Sequence, residues 1–333
     1  MHQAETRKYL LTHDQGDDYI LQLDNSGMET STTCPRSFFY SSIQARVAKG
    51  GEALVYGSAH HEGLEAYYKG KSIQEVRSAV LNTFEQGQEM GWRTPESALD
   101  SVTQYIAKYK NETIKPLRDG EDKPMVEVPF SIPLGEIEVD DFFQIDRSFL
   151  VNPEGDTCIA GTKPDGSFYI NKLTIFWTGK IDMFVLMDGG KWIMDHKTSS
   201  IKGESYYADF ELSHQTVGYT WAGEQILKEP IVGFLLNLIV NRKPTKTGTG
   251  REFDRRKFYY PRYRIDEWPH DTMAIIEDIV AYMVKGYFPP MRKWCVGKYG
   301  KCRYHDVCCV PPDNRLSMLN SNIYQTNTWS PLD

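Results

Sequence analysis

Two aspartates and a lysine flank a tight turn in the segment TGKIDMFVLMDGGKWIMDHKTSS, residues 178–200. With Asp188-Gly189 as a two-residue loop, the strongest short-range hairpin signal, counting outward pairs Met187 with Gly190, Val185 with Trp192 and Asp182 with Asp195. Residues directly opposite in an antiparallel pair point to one face, with Cβ atoms about 4.5–5.5 Å apart. Lys197 lies two residues beyond Asp195 and shares that face. Two opposed carboxylates repel, and a divalent cation bridging them removes the conflict. Hard oxygen ligands at that separation suit Mg²⁺ or Mn²⁺. The lysine then stabilises developing negative charge or helps orient an attacking water that the cation activates. This is equipment for phosphodiester hydrolysis. Ile181, Met183, Val185, Trp192 and Met194 make the opposite face apolar, so the polar set stands on a packed platform. An isolated Asp-x-Lys also suits a solvated hairpin with no catalytic purpose.

Cysteine supplies a second constellation. Cys34 and Cys158 stand alone, whereas Cys295, Cys302, Cys308 and Cys309 cluster in WCVGKYGKCRYHDVCC. No apolar run approaches the roughly 20 residues of a membrane span, and MHQAETRKYLLTHDQ lacks the basic-then-apolar layout of a signal peptide. The expected compartment is the reducing cytoplasm, where clustered thiols are better metal ligands than disulfide partners. A structural Zn²⁺ on four cysteines, or on three with His305, fits the residues. Cys158 reads as a bystander, and spacing favours Cys308 over Cys309 as a ligand.

The chain has 333 residues and a net charge of −7, which argues against coating nucleic acid by bulk charge. One stretch runs the other way: NRKPTKTGTGREFDRRKFYYPRYR, residues 241–264, interleaves cations with aromatics. Arg255, Arg256, Lys257 and Tyr259 are its candidate DNA contacts, the cations following phosphates and the ring stacking on bases. A solvated hairpin is the bland alternative. No G-x-x-x-x-G-K-S/T loop is present, so a helicase or recombination partner would be a separate protein.

The elements that must position these groups follow from periodicity. Residues 1–30 read as a polar lead-in with a short strand at Tyr19–Leu23. Helices are expected from Cys34, over Ala53–Lys69 with Leu54, Gly57, His61, Leu64 and Tyr68 on one face, and over Ile73–Gly87 and Leu99–Tyr109. Val126–Ile132 alternates as a strand, and residues 135–172 suggest a hairpin-like excursion. After the Asp188-Gly189 hairpin come a helix at Glu211–Leu227 and a strand at Val232–Val240, apolar enough to be buried on both faces. A helix at Asp266–Gly286 and a polar tail after Pro311 complete the chain. The expected organisation is a lead-in at 1–30, one domain at 31–310, and a tail at 311–333. Within that domain, 31–115 is mainly helical, 120–240 holds the catalytic sheet, 241–264 is a basic hairpin or loop, and 265–310 carries a helix and the cysteines.

Taken together, these motifs resemble the PD-(D/E)XK nuclease superfamily in its RecB-like branch. That branch carries G-x-x-D on one strand and D/E-x-K-T/S on the next, as Gly179, Asp182, Asp195, Lys197 and Thr198 do here. It places Q-x-x-x-Y on the following helix, matched by Gln215 and Tyr219, which share a face one turn apart. It expects a histidine in G-x-x-x-H-x-x-L-E, matched by GSAHHEGLE, where spacing favours His61 over His60. The resemblance implies an α/β restriction-endonuclease-like core, a mixed sheet flanked by helices. It further implies metal ligation by His61, Asp182 and Asp195, and catalysis with Lys197, Gln215 and Tyr219. Glu127 is a further candidate acid. Cys34, Cys295, Cys302 and Cys308 resemble the 4Fe–4S staple of this branch. Six residues separate Cys295 from Cys302, however, where C-x-x-C is common. The function implied is a metal-dependent DNA nuclease acting on single strands or free ends, as an oligomer in some relatives. A catalytically inactive DNA- or partner-binding protein on the same scaffold is the competing expectation.

Overall fold

A computed structural model describes residues 11–13, 18–84, 91–144, 159–160, 169–246, 248, 250–297 and 300–326. The chain divides into two compact units, one of Gly50–Pro129 with Lys180–Trp268, the other of Met1–Lys49, Phe130–Gly179 and Pro269–Asp333. Cys158 and the turn of the excursion lie outside the described residues.

In the first unit the motif hairpin forms in the expected register, with Met187 opposite Gly190, Val185 opposite Trp192 and Met183 opposite Met194. Asp188 (φ 53°) and Gly189 (φ 76°) both occupy the left-handed region, the backbone of the tight turn whose twist matches antiparallel strands. Gly190–Ser199 then pairs in parallel with Gly233–Asn241, which pairs antiparallel with Arg251–Phe258. The sheet is therefore mixed. Gly233–Asn241 is buried along its whole length, as its unbroken apolar run requires.

Helices cover both faces. Met183, Val185, Trp192, Met194, Leu235 and Ile239 share a core with residues of the helices Glu52–Tyr68, Ile73–Asn82 and Pro95–Tyr109. On the other face the helix His214–Leu227 lies so close that a Cβ at Gly223 would come within 2.8 Å of Ile193 and 3.2 Å of Phe184. Successive strand residues alternate between faces, so Asp182, Asp195 and Lys197 share the face of Phe184 and Ile193, toward His214–Leu227.

Three expectations shift. The helix Glu52–Tyr68 buries Tyr56, Ala59, His60, Gly63, Leu64 and Tyr68, and Leu54 is 66% exposed, because the contact with the neighbouring helices selects a face rotated from the one expected. The helix expected at Glu211–Leu227 begins at His214, the Ser213 hydroxyl accepting from Thr216 N–H at its start, and a further helix, Glu204–Glu211, precedes it. The basic stretch, expected as a hairpin or loop, contributes the strand Arg251–Phe258 to the sheet, paired antiparallel with Gly233–Asn241.

In the second unit, the polar lead-in holds a real strand, Asp18–Leu23, which pairs in parallel with the start of Tyr169–Met187. Asp24 follows it and caps the helix Asn25–Thr33, its carboxylate accepting from Gly27 N–H at 2.7 Å. Within the tail, Pro312–Leu319 is helical, and Tyr324–Thr326 pairs antiparallel with Arg46–Ala48. Tyr40, Tyr304, Val307, Leu319 and Tyr324 form a small core bordered by Cys302 and Cys308. At Gly179 a Cβ would stand 2.4 Å from Cζ of Phe130, whose ring packs on Trp177 at 4.8 Å. Gly179→Ala overpacks this contact and is expected to cost about 1–3 kcal/mol, read as a lower urea midpoint with unchanged slope.

Candidate active site

The site is assembled within the first unit by the hairpin, the helix Glu52–Tyr68, the helix His214–Leu227 and the strand that begins at Val126. Asp182 and Asp195 are one step beyond the last ladder pair, Met183–Met194. Asp182 Oδ2 instead accepts from the His196 backbone N–H at 2.8 Å. Burial alone would raise the Asp182 carboxyl, but His61, His196, Lys197 and that N–H outweigh it and hold it below the usual carboxylate range.

Asp195 is 2% exposed. The Lys197 ammonium lies 2.8 Å from its Oδ2 but off hydrogen-bond geometry, so this buried oxygen has no hydrogen-bond partner among the described residues. Burial pushes Asp195 up to about 6, with Lys197 opposing and Asp182 adding to the shift. Burial would also strip the Lys197 proton, yet the charges of Asp195 and Asp182 prevail and raise its pKa above the ordinary value. Lys197 is thus a fixed positive charge rather than a base.

The two adjacent histidines divide as their spacing suggests. His60 is fully buried, with Nδ1 at 2.7 Å from the Tyr56 carbonyl oxygen and Nε2 at 3.3 Å from Asn241 Nδ2. Burial lowers its pKa to about 4, which keeps it neutral and structural. His61 is on the flank of the same helix, Nδ1 at 3.5 Å from Asp182 Oδ2. His61→Gln is expected to weaken Mn²⁺ binding with little change in melting temperature, whereas His60→Gln is expected to lower the melting temperature. Titration calorimetry and thermal melts on both variants check this.

Glu127 completes the cluster. Phe184 N–H donates to the Met125 carbonyl at 3.1 Å, drawing this strand alongside the hairpin. Donor atoms of His61, Glu127 and Asp182 then lie within 4.8 Å of one another. Burial, Asp182 and Glu65 push Glu127 up to about 8, although Lys180 sits 3.8 Å away. Its backbone is left-handed (φ 54°), which costs a non-glycine residue on the order of 1–3 kcal/mol and concentrates at functional sites. Two carboxylates and an imidazole fit a divalent cation, whose charge would offset both the burial and the Asp182 repulsion that raise Glu127. Gln215 and Tyr219 stand one turn apart, Gln215 Nε2 donating to the Tyr219 hydroxyl at 3.3 Å. Burial and then the charge of Asp195 keep that hydroxyl protonated.

The sequence profile of the PD-(D/E)XK nuclease superfamily matches residues 25–309. The chain belongs to that superfamily. It is a nuclease by family, a phosphodiester hydrolase, and no curated protein matches it. Among solved structures it is similar to a candidate exonuclease from Eubacterium rectale, at 15% identity over 86% of each chain with a TM-score of 0.42. It is also similar to the protein SSO0001, at 10% identity over 77% of this chain and 84% of that one with a TM-score of 0.28. The assignment rests on the profile match.

The basic strand of the nuclease differs from expectation. Arg255 turns inward. It is ion-paired with Glu112, donates to the Tyr105 hydroxyl at 2.8 Å, and lies 3.8 Å above the Tyr109 ring. Its Nε donates to Asn237 Oδ1 at 3.0 Å, so the Asn237 amide group faces His196 Nδ1 at 2.6 Å. Arg255, its side chain only 12% exposed, therefore steadies His196, whose N–H holds Asp182, and is engaged with Glu112 rather than open to a phosphate. Arg256 is paired with Glu204 and Lys257 with Asp188, while Tyr259 is 63% exposed. Antiparallel pairing with a buried strand sets which of these side chains face inward, and a run of like residues does not reveal that. Asn237 is a buried supporting residue beside the site that sequence reasoning misses, and its lone polar position inside FLLNLIV is the signal that could find it.

Among the cysteines, Cys34, Cys295, Cys302 and Cys308 are half-buried and Cys309 is exposed. Burial raises the Cys295 thiol, reinforced by the Cys34, Cys302 and Cys309 thiols and opposed by Arg292. Burial also raises Cys308; Arg36 and Arg315 oppose it, and Cys34 and Cys295 reinforce it. Five sulfurs, Cys309 included, thus share one neighbourhood, with Cys302 N–H donating to the Cys295 carbonyl at 2.9 Å.

Proposed function

We propose that this nuclease is a Mg²⁺- or Mn²⁺-dependent deoxyribonuclease that degrades DNA from a free end, in prokaryotic or phage DNA processing. The observation that carries the reading is the meeting of His61, Glu127 and Asp182 donors within 4.8 Å beside a lysine held charged. His61, Glu127, Asp182 and Asp195 would hold the cation. When bound, it supplies polarisation of the phosphoryl group and lowers the pKa of an attacking water. Lys197 stabilises the negative charge that develops on the phosphate. Protonated Tyr219, oriented by Gln215, adds a neutral donor on the same face. DNA as substrate and attack from an end follow from the resemblance of the motif set to the RecB-like branch. The purified protein is expected to degrade linear single- or double-stranded DNA with Mn²⁺ or Mg²⁺, to spare covalently closed circles, and to stop when a chelator is added. Circles cut as fast as linear DNA would overturn the end-directed part, and intact DNA under both metals would overturn the whole.

The proposal includes a 4Fe–4S cluster on Cys34, Cys295, Cys302 and Cys308. The likeness of these four cysteines to the staple of the RecB-like branch supports iron, and tetrahedral zinc on the same thiolates is the alternative. Anaerobically purified protein is expected to be brown and to contain iron, with both lost in Cys302→Ser. Stoichiometric zinc without iron would reverse the assignment.

A further inference from the structure

Residues 285–303 contain Lys285, Arg292, Lys293, Lys298, Lys301 and Arg303 and not one Asp or Glu, in a chain of net charge −7. Lys285, Arg292, Lys293, Lys301 and Arg303 are exposed. Among the described residues only Lys301 approaches a carboxylate, Asp306 at 3.9 Å. The contrast with Arg251–Arg262 is sharp, because there Arg251, Arg255, Arg256, Lys257 and Arg262 are all neutralised by acidic partners. Large apolar side chains stand exposed among the unpaired cations: Trp294 at 55%, Tyr287 at 57% and Val296 at 63%. Lys293 Nζ sits 5.6 Å from the Trp294 ring.

The segment is also held in shape. Arg36 Nε donates to the Phe288 carbonyl at 2.6 Å, and Arg36 N–H donates to the Pro289 carbonyl at 3.2 Å. A short hairpin pairs Val296 with Lys301 and Gly297 with Gly300. Lys285, Arg292, Lys293 and Arg303 have no carboxylate partner among the described residues, and the anchored backbone beside an exposed indole lowers the ordering cost of binding a polyanion. Phosphates answer the charge, and only unpaired bases offer ring faces to the indole.

We propose that residues 285–297 with 300–303 form a binding surface for a single-stranded nucleic acid, with Trp294 stacking on a base and Arg292 and Lys293 contacting phosphates. This deepens the nuclease reading by naming where the strand is held, and it rests on that reading for its biological use. The experiment is fluorescence anisotropy of the full-length protein with a short labelled oligothymidylate, without added divalent metal. Because no cleavage is involved, failure here leaves the cleavage assay standing, and failure there leaves this result standing. Trp294→Ala is expected to weaken binding about five- to hundredfold. Arg292→Gln with Lys293→Gln is expected to flatten the dependence of log affinity on log salt, by about 0.7 for each phosphate that the variant no longer neutralises. Arg256→Gln, which removes a cation already tied to Glu204, is expected to leave affinity unchanged. All of these positions are exposed or half-exposed, and unchanged circular dichroism confirms folding. Unchanged affinity in Trp294→Ala overturns the proposal. So does displacement of the oligonucleotide by polyglutamate at equal charge, which would mark an acidic protein partner, or an equal loss for duplex DNA.

Discussion

Lys197→Ala is expected to slow cleavage of linear DNA by about 10²–10³-fold, the usual cost of removing one preorganised donor from a developing anion. The expectation follows from the state of the amine. Asp195 and Asp182 keep it charged despite burial, 2.8 Å from Asp195 Oδ2, so its contribution is electrostatic and disappears with the charge. The loss should fall on kcat rather than KM, because the charge it answers exists only as the phosphate is attacked. Removing the ammonium also leaves Asp195 buried without its counter-charge, so the metal-free variant should melt lower and Mn²⁺ should recover part of the difference. Asp195→Asn separates the two effects: it removes the repulsion between carboxylates and keeps the shape, yet should cut slowly as well. Lys197→Ala protein that cleaves at the wild-type rate would remove Lys197 from the mechanism.

Arg255→Ala is expected to destabilise the fold by about 3–5 kcal/mol, the range for breaking a buried ion pair from one side. Glu112 and Arg255 are each only 12% exposed at the side chain. The alanine leaves the carboxylate without its partner and empties the space above Tyr109. Arg255→Met combined with Glu112→Gln should recover much of the loss, because neither residue then buries a charge. Urea unfolding of the single and double variants measures both. A single variant that unfolds like wild type but binds oligonucleotide more weakly would return Arg255 to the role of a DNA contact.

These two residues mark how much of the site was legible. Lys197 was readable because a hairpin obeys local rules: two turn residues set the register, the register sets the face, and Asp182, Asp195 and Lys197 follow from counting. His61 was readable against His60 through the spacing of GSAHHEGLE. Arg255 was not readable, because Arg255, Arg256 and Lys257 are consecutive cations whose fates differ only through what packs against each. Glu127 stood between these cases. Its presence on the first strand was visible, but its membership in the His61–Asp182 cluster depends on a left-handed backbone at φ 54° and on the Met125–Phe184 hydrogen bond.

By itself, then, the sequence determined the Asp182/Asp195/Lys197 hairpin, the Gln215/Tyr219 face, the buried Gly233–Asn241 strand and the superfamily they mark. All of these depend on neighbours within a few residues or on strict periodicity. Tertiary structure alone decided that Glu127 meets His61 and Asp182, that Asn237 and Arg255 support His196 from behind, and that, among the described residues, Lys285, Arg292, Lys293 and Arg303 have no carboxylate partner while the cations of 251–262 do. The physical reason is that charge pairing and desolvation act between residues brought together from distant parts of the chain, and neither is written in local pattern.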